Sequence, residues 1–264
     1  MNCNISNKIA VIGGSSKGLG KACALSLARE GVNLVLCSRN IDNLNHTRNE
    51  ILASYPKVEI LCIPADMSVI EDNKLIVQKA VERFGTIDIL INNSGGPRAG
   101  SFSKLSFADY DEAYNNVLMY SIRMIYNCLP YMQAKKWGRI INIASLSVKE
   151  PAPTLLLSNV FRAGLISFSK SVSKELIGEG ITINNICPGA FKTERAIQLM
   201  KNRSEVEGKS IEEIEIDSIR SFPQHRYQKP EELGDLVCFL ASDLASSITG
   251  TTIQIDGGIS NSLF

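Results

Sequence analysis

A glycine-rich segment near the N-terminus is the first part of the sequence that could do chemistry. Residues 13–20 read Gly-Gly-Ser-Ser-Lys-Gly-Leu-Gly, between an apolar run and an amphipathic segment. Glycines let the chain turn sharply and approach a ligand closely, and the following helix presents free N–H groups and a positive dipole. The segment therefore predicts a cradle for the pyrophosphate of a dinucleotide. A tight turn without a ligand is the plainer alternative.

The residues after the second apolar run indicate which dinucleotide this cradle takes. NAD-binding units place an acidic residue here for the ribose 2′-hydroxyl, but residues 36–40 read Leu-Cys-Ser-Arg-Asn and contain no carboxylate. Arg39, together with Lys17 in the glycine loop, would instead neutralise a 2′-phosphate. We therefore predict NADP(H) as the cofactor. The alternative is that Arg39 is only a surface cation.

Composition excludes several other classes of function. The net charge is +1 and no basic run is dense enough for a nucleic-acid footprint, so we expect no nucleic-acid partner. No apolar stretch approaches the ~18 residues of a membrane span, and the N-terminus lacks a signal-peptide pattern. Seven scattered cysteines without a CxxC pair predict reduced thiols and a cytoplasmic location. The isolated histidines, His46 and His225, predict no metal site.

The elements that must position these residues follow an alternating pattern. Short Val/Ile/Leu-rich runs, apolar on consecutive positions, predict strands covered on both faces. The predicted strands are Lys8–Ile12, Asn33–Cys37, Val58–Ile63, Ile87–Asn92, Arg139–Ala144, Thr182–Cys187 and Thr251–Ile255. Amphipathic segments between them, such as Gly18–Glu30 and Ser68–Phe84 with Ser68 as N-cap, predict helices. This order predicts one α/β Rossmann domain over residues 1–264, with a doubly wound parallel sheet of about seven strands.

One segment departs from this rhythm. Thr193 to Tyr227 has no strand pattern and is dense in charged residues around Met200 to Glu215. We predict surface helices that could act as a lid over a site at the end of the preceding strand. A pair of solvated surface helices is the alternative.

The ordered series of motifs resembles the short-chain dehydrogenase/reductase family over essentially the whole chain, most closely its 3-oxoacyl-(acyl-carrier-protein) reductases. Gly13–Gly20 resembles the family's glycine loop, with glycine in place of the usual leading threonine. The residues that match the tail of the family are Pro230, Leu240-Ala241-Ser242, Ile248-Thr249-Gly250 and Asp256-Gly257-Gly258.

The resemblance implies a set of cofactor-binding residues in the glycine loop and after successive strands. Asp66-Met67 would hold the adenine, Asn92-Asn93-Ser94-Gly95 would steady the central strand, and Pro188-Gly189 with Thr193 would contact the carboxamide. The implied set is Gly14, Ser16, Lys17, Gly18, Leu19, Gly20, Ser38, Arg39, Asp66, Met67, Asn93, Ser94, Gly95, Pro188, Gly189 and Thr193.

The catalytic positions depart from the family pattern of serine, tyrosine and lysine. Ser145 matches the serine, but Ser158 stands at the tyrosine position and Arg162 at the lysine position. Val117 stands where the family has a helper asparagine, directly after Asn115 and Asn116. A serine hydroxyl is a much weaker acid than a phenol, and an arginine stays protonated. The implied reaction, reduction of a small-molecule or acyl-carrier-linked carbonyl, would therefore need another route for the proton.

Three functions remain open at this point. The first is an NADP(H)-dependent oxidoreductase that uses Ser145, Ser158 and Arg162; the second is a non-catalytic NADP-binding module that senses redox state or pairs with an active relative; the third is a non-redox lyase or epimerase. In the plainest alternative, Ser145 only caps a strand end and Ser158 and Arg162 form a surface pair on a helix. Apolar residues on several faces of Tyr114–Ala134 and Leu155–Leu176, among them Met119, Ile122, Ile125, Leu155, Leu156 and Leu165, predict a homotetramer or at least a homodimer.

Overall fold

The computed structural model describes residues 3–263, apart from the side chains of residues 199, 202 and 206. The ends of the predicted domain, residues 1, 2 and 264, lie outside the described residues. Within them the chain forms one α/β unit, in which a parallel sheet lies between two layers of helices. The predicted fold class is confirmed.

The sheet has seven strands, and every pair of neighbours is parallel. The strands are β1 Ile9–Gly13, β2 Asn33–Ser38, β3 Ile60–Pro64, β4 Ile89–Asn92, β5 Gly138–Ile143, β6 Ile181–Pro188 and β7 Thr252–Ile255. Their order across the sheet is β3-β2-β1-β4-β5-β6-β7. All seven predicted strands are present, and each end lies within two residues of its predicted position. Ends shift because pairing with a neighbour, rather than local pattern, decides where a strand stops.

The consecutive apolar residues of the strands feed two separate cores. Along β1, Ala10 and Ile12 face the core that contains helices of one layer, while Ile9 and Val11 face the core on the other side. All four side chains are buried. Because successive side chains of a strand point to opposite faces, β1 contributes apolar side chains to both cores.

Nine α-helices occur in the described residues. They are α1 Gly18–Arg29, α2 Ile41–Ser54, α3 Ile70–Phe84, α4 Phe107–Ala113, α5 Tyr120–Lys135, α6 Leu156–Ile177, α7 Glu194–Glu207, α8 Ile211–Arg220 and α9 Pro230–Ala241. A π-helical turn, Tyr114–Met119, joins α4 to α5. None of the described helices is long and apolar enough to cross a membrane.

The prediction of Ser68 as a helix cap is wrong. The N-cap of α3 is Val69, which has no side chain able to accept a hydrogen bond. Ser68 instead donates its hydroxyl to Oδ1 of Asp66 at 2.7 Å. The acidic first turn of α3, with Glu71 and Asp72, still complements the helix dipole.

The excursion predicted over residues 193–227 consists of α7 and α8. It begins and ends at one place, because Phe191 and Gln228 form an isolated parallel bridge. Phe191 is buried in the core, and so is Gln228. The two helices are thus an insertion with a fixed base beside the C-terminal end of β6.

The order of the strands reverses between β1 and β4: β2 and β3 extend the sheet on one side of β1, and β4 to β7 extend it on the other. In open α/β sheets, ligands bind outside the carboxyl ends of the strands at this switch point. The residues that follow β1, β4, β5 and β6 all lie at this edge.

Candidate active site

The glycine loop between β1 and α1 is closely packed. Gly14 and Gly18 have φ of +56°, a left-handed conformation that glycine adopts without strain. A Cβ on Gly20 would lie 2.3 Å from the carbonyl oxygen of Gly14, so the first turn of α1 has no space for a side chain there. The predicted cradle is therefore a preformed turn that leads into a helix N-terminus.

Tyr120 accounts for the unusual glycine at the start of this loop. A Cβ on Gly13 would lie 2.1 Å from the phenol oxygen of Tyr120 and 2.6 Å from the carbonyl oxygen of Asn93. Tyr120 is 1% exposed, and its phenol hydrogen-bonds the main chain of Asn93. The phenol thus occupies the space that the side chain of a leading threonine would take. Burial raises the pKa of Tyr120 above its ordinary value, which makes this phenol a weaker acid than a free tyrosine.

We expect Gly13→Ala to destabilise the protein by about 1–3 kcal/mol, because overpacking a full core forces neighbours to move. In the background of Tyr120→Phe, which removes the clashing oxygen, part of this loss should disappear. Urea unfolding of the two single variants and the double variant measures the coupling. Strictly additive losses would contradict the assignment of Tyr120 as the residue that excludes a side chain at position 13.

Several predicted cofactor residues come together around the loop. Nδ2 of Asn93, at the end of β4, donates to the carbonyl oxygens of Gly13 at 3.0 Å and Gly14 at 3.4 Å. Thr193 and Glu194, which begin the excursion, lie within 3.8 Å of the position of a Cβ on Gly18. The turn after β6 therefore lies against the turn after β1.

The turn after β6 is fixed from the opposite side. A Cβ on Gly189 would lie 2.5 Å from Cα of Asp256, and the N–H of Gly189 donates to Ile255 at 2.9 Å. Thr193 caps α7 by accepting a hydrogen bond from Ala196 at 3.3 Å. The predicted residues Ser94 and Gly95 follow Asn93 at the same edge and are partly to fully exposed.

The end of β2 carries an exposed cation next to an ordered carboxylate. Arg39 is exposed, and so is Lys17 in the glycine loop. Oδ1 of Asp66 accepts two hydrogen bonds from Ser68, which lower its pKa, and the charge of Arg39 lowers it further. The hydroxyl of Ser38 turns towards the carbonyl of Asn40. This edge thus offers two cations with no ion-pair partner among the described residues to an anionic group.

Three serine hydroxyls form a chain at the end of β5. Oγ of Ser145 donates to Oγ of Ser147 at 2.9 Å, and Ser147 shares a hydrogen bond with Ser158 at 3.2 Å. Ser147 and Ser158 are buried, while Ser145 is partly buried. Ser145 also caps the short turn Leu146–Val148. Ser147 was missed by sequence reasoning, although its place two residues after Ser145 was visible.

Arg162 lies one helical turn after Ser158 and points at the same strand end. Its Nη1 donates to the carbonyl oxygens of Ile143 at 2.5 Å and Ala144 at 2.9 Å. The residue is 8% exposed, and burial lowers the pKa of the guanidinium to about 10, so it remains charged at neutral pH. The alternative of a surface pair is wrong, because Ser158 and Arg162 are both buried against β5.

A buried amide network holds α6 in this position. Asn142 of β5 donates to Ser169 of α6 at 2.9 Å and to Asn185 of β6 at 3.0 Å, and accepts from Asn92 of β4 at 2.9 Å. All four residues are buried. Oδ1 of Asn92 is the one atom of these four side chains that is buried without a partner among the described residues. The hydrogen bonds that run through Asn142 join α6 to β5 and β6, and so help to fix Ser158 and Arg162 against the sheet.

The tyrosines and asparagines nearby do not replace the missing phenol. The rings of Tyr110 and Tyr114 pack on Phe161, on another side of α6 from Arg162. Val117 is buried at the position of the helper asparagine, while the side chains of Asn115 and Asn116 bond to α4. Within this cluster the side-chain hydroxyls are those of the serines.

Comparison with known proteins gives a consistent result. A family profile described as Enoyl-(Acyl carrier protein) reductase matches residues 14–260. The chain is 34% identical over 259 residues to the NADPH-dependent reductase BacG of Bacillus subtilis, with 98% of this chain and 100% of that protein covered. It is 29% identical over 257 residues to a 3-oxoacyl-(acyl-carrier-protein) reductase, FabG, of Thermotoga maritima, with 97% and 98% covered.

Solved structures share the fold over the full length. L-sorbose reductase of Gluconobacter frateurii, complexed with NADPH and L-sorbose, has a TM-score of 0.95 and 30% identity, with 100% of both chains covered. YwfH, an NADPH-dependent reductase involved in bacilysin biosynthesis, has a TM-score of 0.92 and 33% identity, with 98% of this chain and 100% of that chain covered.

Proposed function

Since the chain belongs to the short-chain dehydrogenase/reductase family, we propose that it is an NADP(H)-dependent reductase that acts on a carbonyl group through a site built from Ser145, Ser158 and Arg162. The observation that carries this proposal is the buried guanidinium of Arg162, which lies with the serine chain at the edge of the sheet that also carries the glycine loop. Substrates for testing are small ketones and 3-oxoacyl thioesters, in line with the named activities of the relatives.

The residues at the switch point fit a phosphorylated dinucleotide. The N-terminus of α1 and the glycine loop would hold its pyrophosphate, and Arg39 with Lys17 would bind the 2′-phosphate. Asp66 and Met67 would hold the adenine, and Pro188, Gly189 and Thr193 would contact the nicotinamide. Such a cofactor supplies a hydride to the carbonyl carbon of the substrate.

The chain's own residues then have to stabilise and protonate the oxygen that becomes negatively charged. Ser145 and Ser158 would donate hydrogen bonds to this oxygen, and the charge of Arg162 would stabilise it in a site with little water. The proton would reach the oxygen through the serine hydroxyls from solvent, since Arg162 holds its own proton. In this site, stabilisation of the negative charge by Arg162 would therefore contribute more to the rate than acid catalysis, which a phenol would otherwise provide.

The function is tested by following NADPH consumption with a panel of ketones and with acetoacetyl thioesters. Ser145→Ala should lose about 100-fold in kcat, because removing one donor to a developing oxyanion costs that much. Ser171→Ala, an exposed serine on α6, is the matched control and should behave as the natural protein. Equal activity of Ser145→Ala and the natural protein would reject Ser145 as a catalytic residue.

Restoring the usual acid should strengthen catalysis on simple ketones. We expect Ser158→Tyr combined with Arg162→Lys to raise kcat by about ten-fold or more, because a phenol beside an ammonium is a better proton donor than serine. Arg162→Lys alone should not raise it, because no phenol is present for the ammonium to tune. Steady-state kinetics of the three proteins, with thermal unfolding as a check of folding, gives the comparison. If the natural protein reduces a ketone rapidly and the double variant is slower, another proton donor exists and the expectation is wrong.

We also propose a homotetramer, or at least a homodimer, built on α4, α5 and α6. Exposed apolar side chains lie on these helices and on the π-helical turn between α4 and α5. Phe107 is 92% exposed, Tyr126 66%, Val160 48% and Tyr114 43%. Two residues of the sequence-based set, Ile125 and Leu165, instead lie in the core of the protomer. Light scattering should find an oligomer at micromolar concentration, and Tyr126→Glu should shift it towards the monomer. A stable monomer of the natural protein would contradict the proposal.

A further inference from the structure

Lys149 is a second cation at the end of β5, and neither the family pattern nor the proposed reaction uses it. It follows Ser145 by four residues, and the intervening turn folds back on itself. The N–H of Val148 donates to the carbonyl of Ser145 at 3.2 Å, and the N–H of Lys149 donates to that of Leu146 at 3.0 Å. The turn therefore keeps the main chain of Lys149 close to that of Ser145.

The surroundings of Cys187 place the charge of Lys149 near the site. Cys187 ends the buried part of β6, and the main chain of Ser145 hydrogen-bonds its thiol. Burial raises the pKa of this thiol to about 11, and Lys149 opposes that rise, as does Arg162 to a lesser extent. Both cations therefore act on one thiol next to Ser145.

Neither cation is neutralised by a carboxylate. Among the described residues, Lys149 takes part in no ion pair, although it is partly buried. Its neighbour Glu150 bonds to Asn261 in the C-terminal segment instead. The hydrogen bonds of Arg162 use Nη1 alone, so Nε and Nη2 have no acceptor in the part of the chain that the structure describes. These donors are available to a bound anion, with which a guanidinium forms charge-assisted hydrogen bonds.

The loop after β4 and the loop before α6 are joined to each other. Gly100, in the loop after β4, forms a parallel bridge with Leu155, and its N–H donates to the carbonyl of Thr154 at 2.7 Å. Arg98 in the same loop is already paired with both oxygens of Asp109, at 2.9 and 3.0 Å. Lys104, also in this loop, has no ion-pair partner in the described part of the chain but is exposed, whereas Lys149 is partly buried and Arg162 is buried. Among the described cations of these two loops and of α6, Lys149 and Arg162 are thus the ones that are at least partly buried and have no ion-pair partner.

We propose that the substrate carries a carboxylate close to its reacting carbonyl, and that Lys149 binds this carboxylate while Arg162 faces the carbonyl oxygen. This inference rests on the proposed reductase function and names its substrate class as an oxo acid. Lys149 is then a specificity-determining residue, because an uncharged ketone of the same shape would leave both its ammonium and part of the Arg162 guanidinium without a partner.

The test compares binding of acids and their methyl esters to the complex of the protein with NADPH, by titration calorimetry. Three pairs vary the distance between the two groups: pyruvate, acetoacetate and levulinate, each against its methyl ester. In the natural protein we expect at least one acid to bind about ten-fold or more tightly than its ester, as a charge-assisted contact predicts. Lys149→Met should remove this preference and Lys149→Arg should keep most of it. Lys74→Met removes an exposed lysine on α3 and should change nothing.

The outcomes separate this inference from the reductase proposal. No acid preference in any pair, or a preference that survives in Lys149→Met, overturns the carboxylate site whatever the activity. Acid-selective binding that depends on Lys149 but leads to no NADPH oxidation by any of the three acids supports the carboxylate site and counts against reduction.

Discussion

Replacing Arg162 with methionine is expected to lower kcat/KM for reduction of the carbonyl substrate by about 100-fold or more. The reason is that a preorganised charge at a developing oxyanion is worth several kcal/mol in a site with little water. Arg162 is 8% exposed and holds its charge at neutral pH, and its position is fixed by the carbonyl groups of Ile143 and Ala144. Steady-state kinetics with the best substrate of the panel measures the loss.

Two controls make this result specific. Lys174→Met removes an exposed cation from the same helix and should leave kcat/KM unchanged. Arg162→Lys keeps a charge on a shorter side chain without the planar set of donors, so its activity should lie between those of Arg162→Met and the natural protein. Because Arg162 also bonds two main-chain carbonyls, thermal unfolding must show that each variant is folded. A folded Arg162→Met protein with normal kcat/KM would reduce Arg162 to a structural residue.

NADPH is expected to bind about 30-fold more tightly than NADH, a difference of roughly 2 kcal/mol. The physical reason is that Arg39 and Lys17 stand unpaired by carboxylates at the edge where a 2′-phosphate would lie, and charge-assisted hydrogen bonds to phosphate are strong. Fluorescence titration with both cofactors gives the ratio. Arg39→Ala should lose most of the preference by weakening NADPH alone.

Lys57→Ala, an exposed lysine in the loop before β3, serves as the control for a general charge effect. The preference should also weaken with rising salt, because exposed charges are screened. Equal affinities for the two cofactors, or an NADPH preference that Arg39→Ala leaves intact, would contradict the assignment of the cation pair.

The fold was predictable because its strands are buried on both faces. The run of β1, Ile9–Gly13, is apolar on consecutive positions, as is typical of strands in a parallel sheet between two layers of helices. The ends were less predictable. Ser68 looks like a cap from its place before an acidic turn, yet Asp66 captures its hydroxyl, and no local pattern ranks these two hydrogen bonds.

The site residues that lie at fixed distances along the chain could be predicted from the sequence. Counting from Ser145 locates Ser158 and Arg162, and helical spacing then places both on one face of α6. What the count cannot show is contact across the fold. Ser147 enters the site only through a turn that lets it meet both serines, and Tyr120 reaches the glycine loop from a helix more than 100 residues later in the chain.

Hydride transfer within a single turnover tests the central claim most directly. The protein, in excess over NADPH deuterated at the nicotinamide C4, is mixed with the ketone and oxo-acid panel, and the products are analysed by mass spectrometry. The account predicts loss of the NADPH absorbance and one deuterium on the carbinol carbon of the product alcohol, with both signals nearly abolished in Arg162→Met. NADPH that binds tightly but stays unoxidised with every carbonyl compound would contradict it, and would make the protein a binding module for the cofactor rather than a reductase.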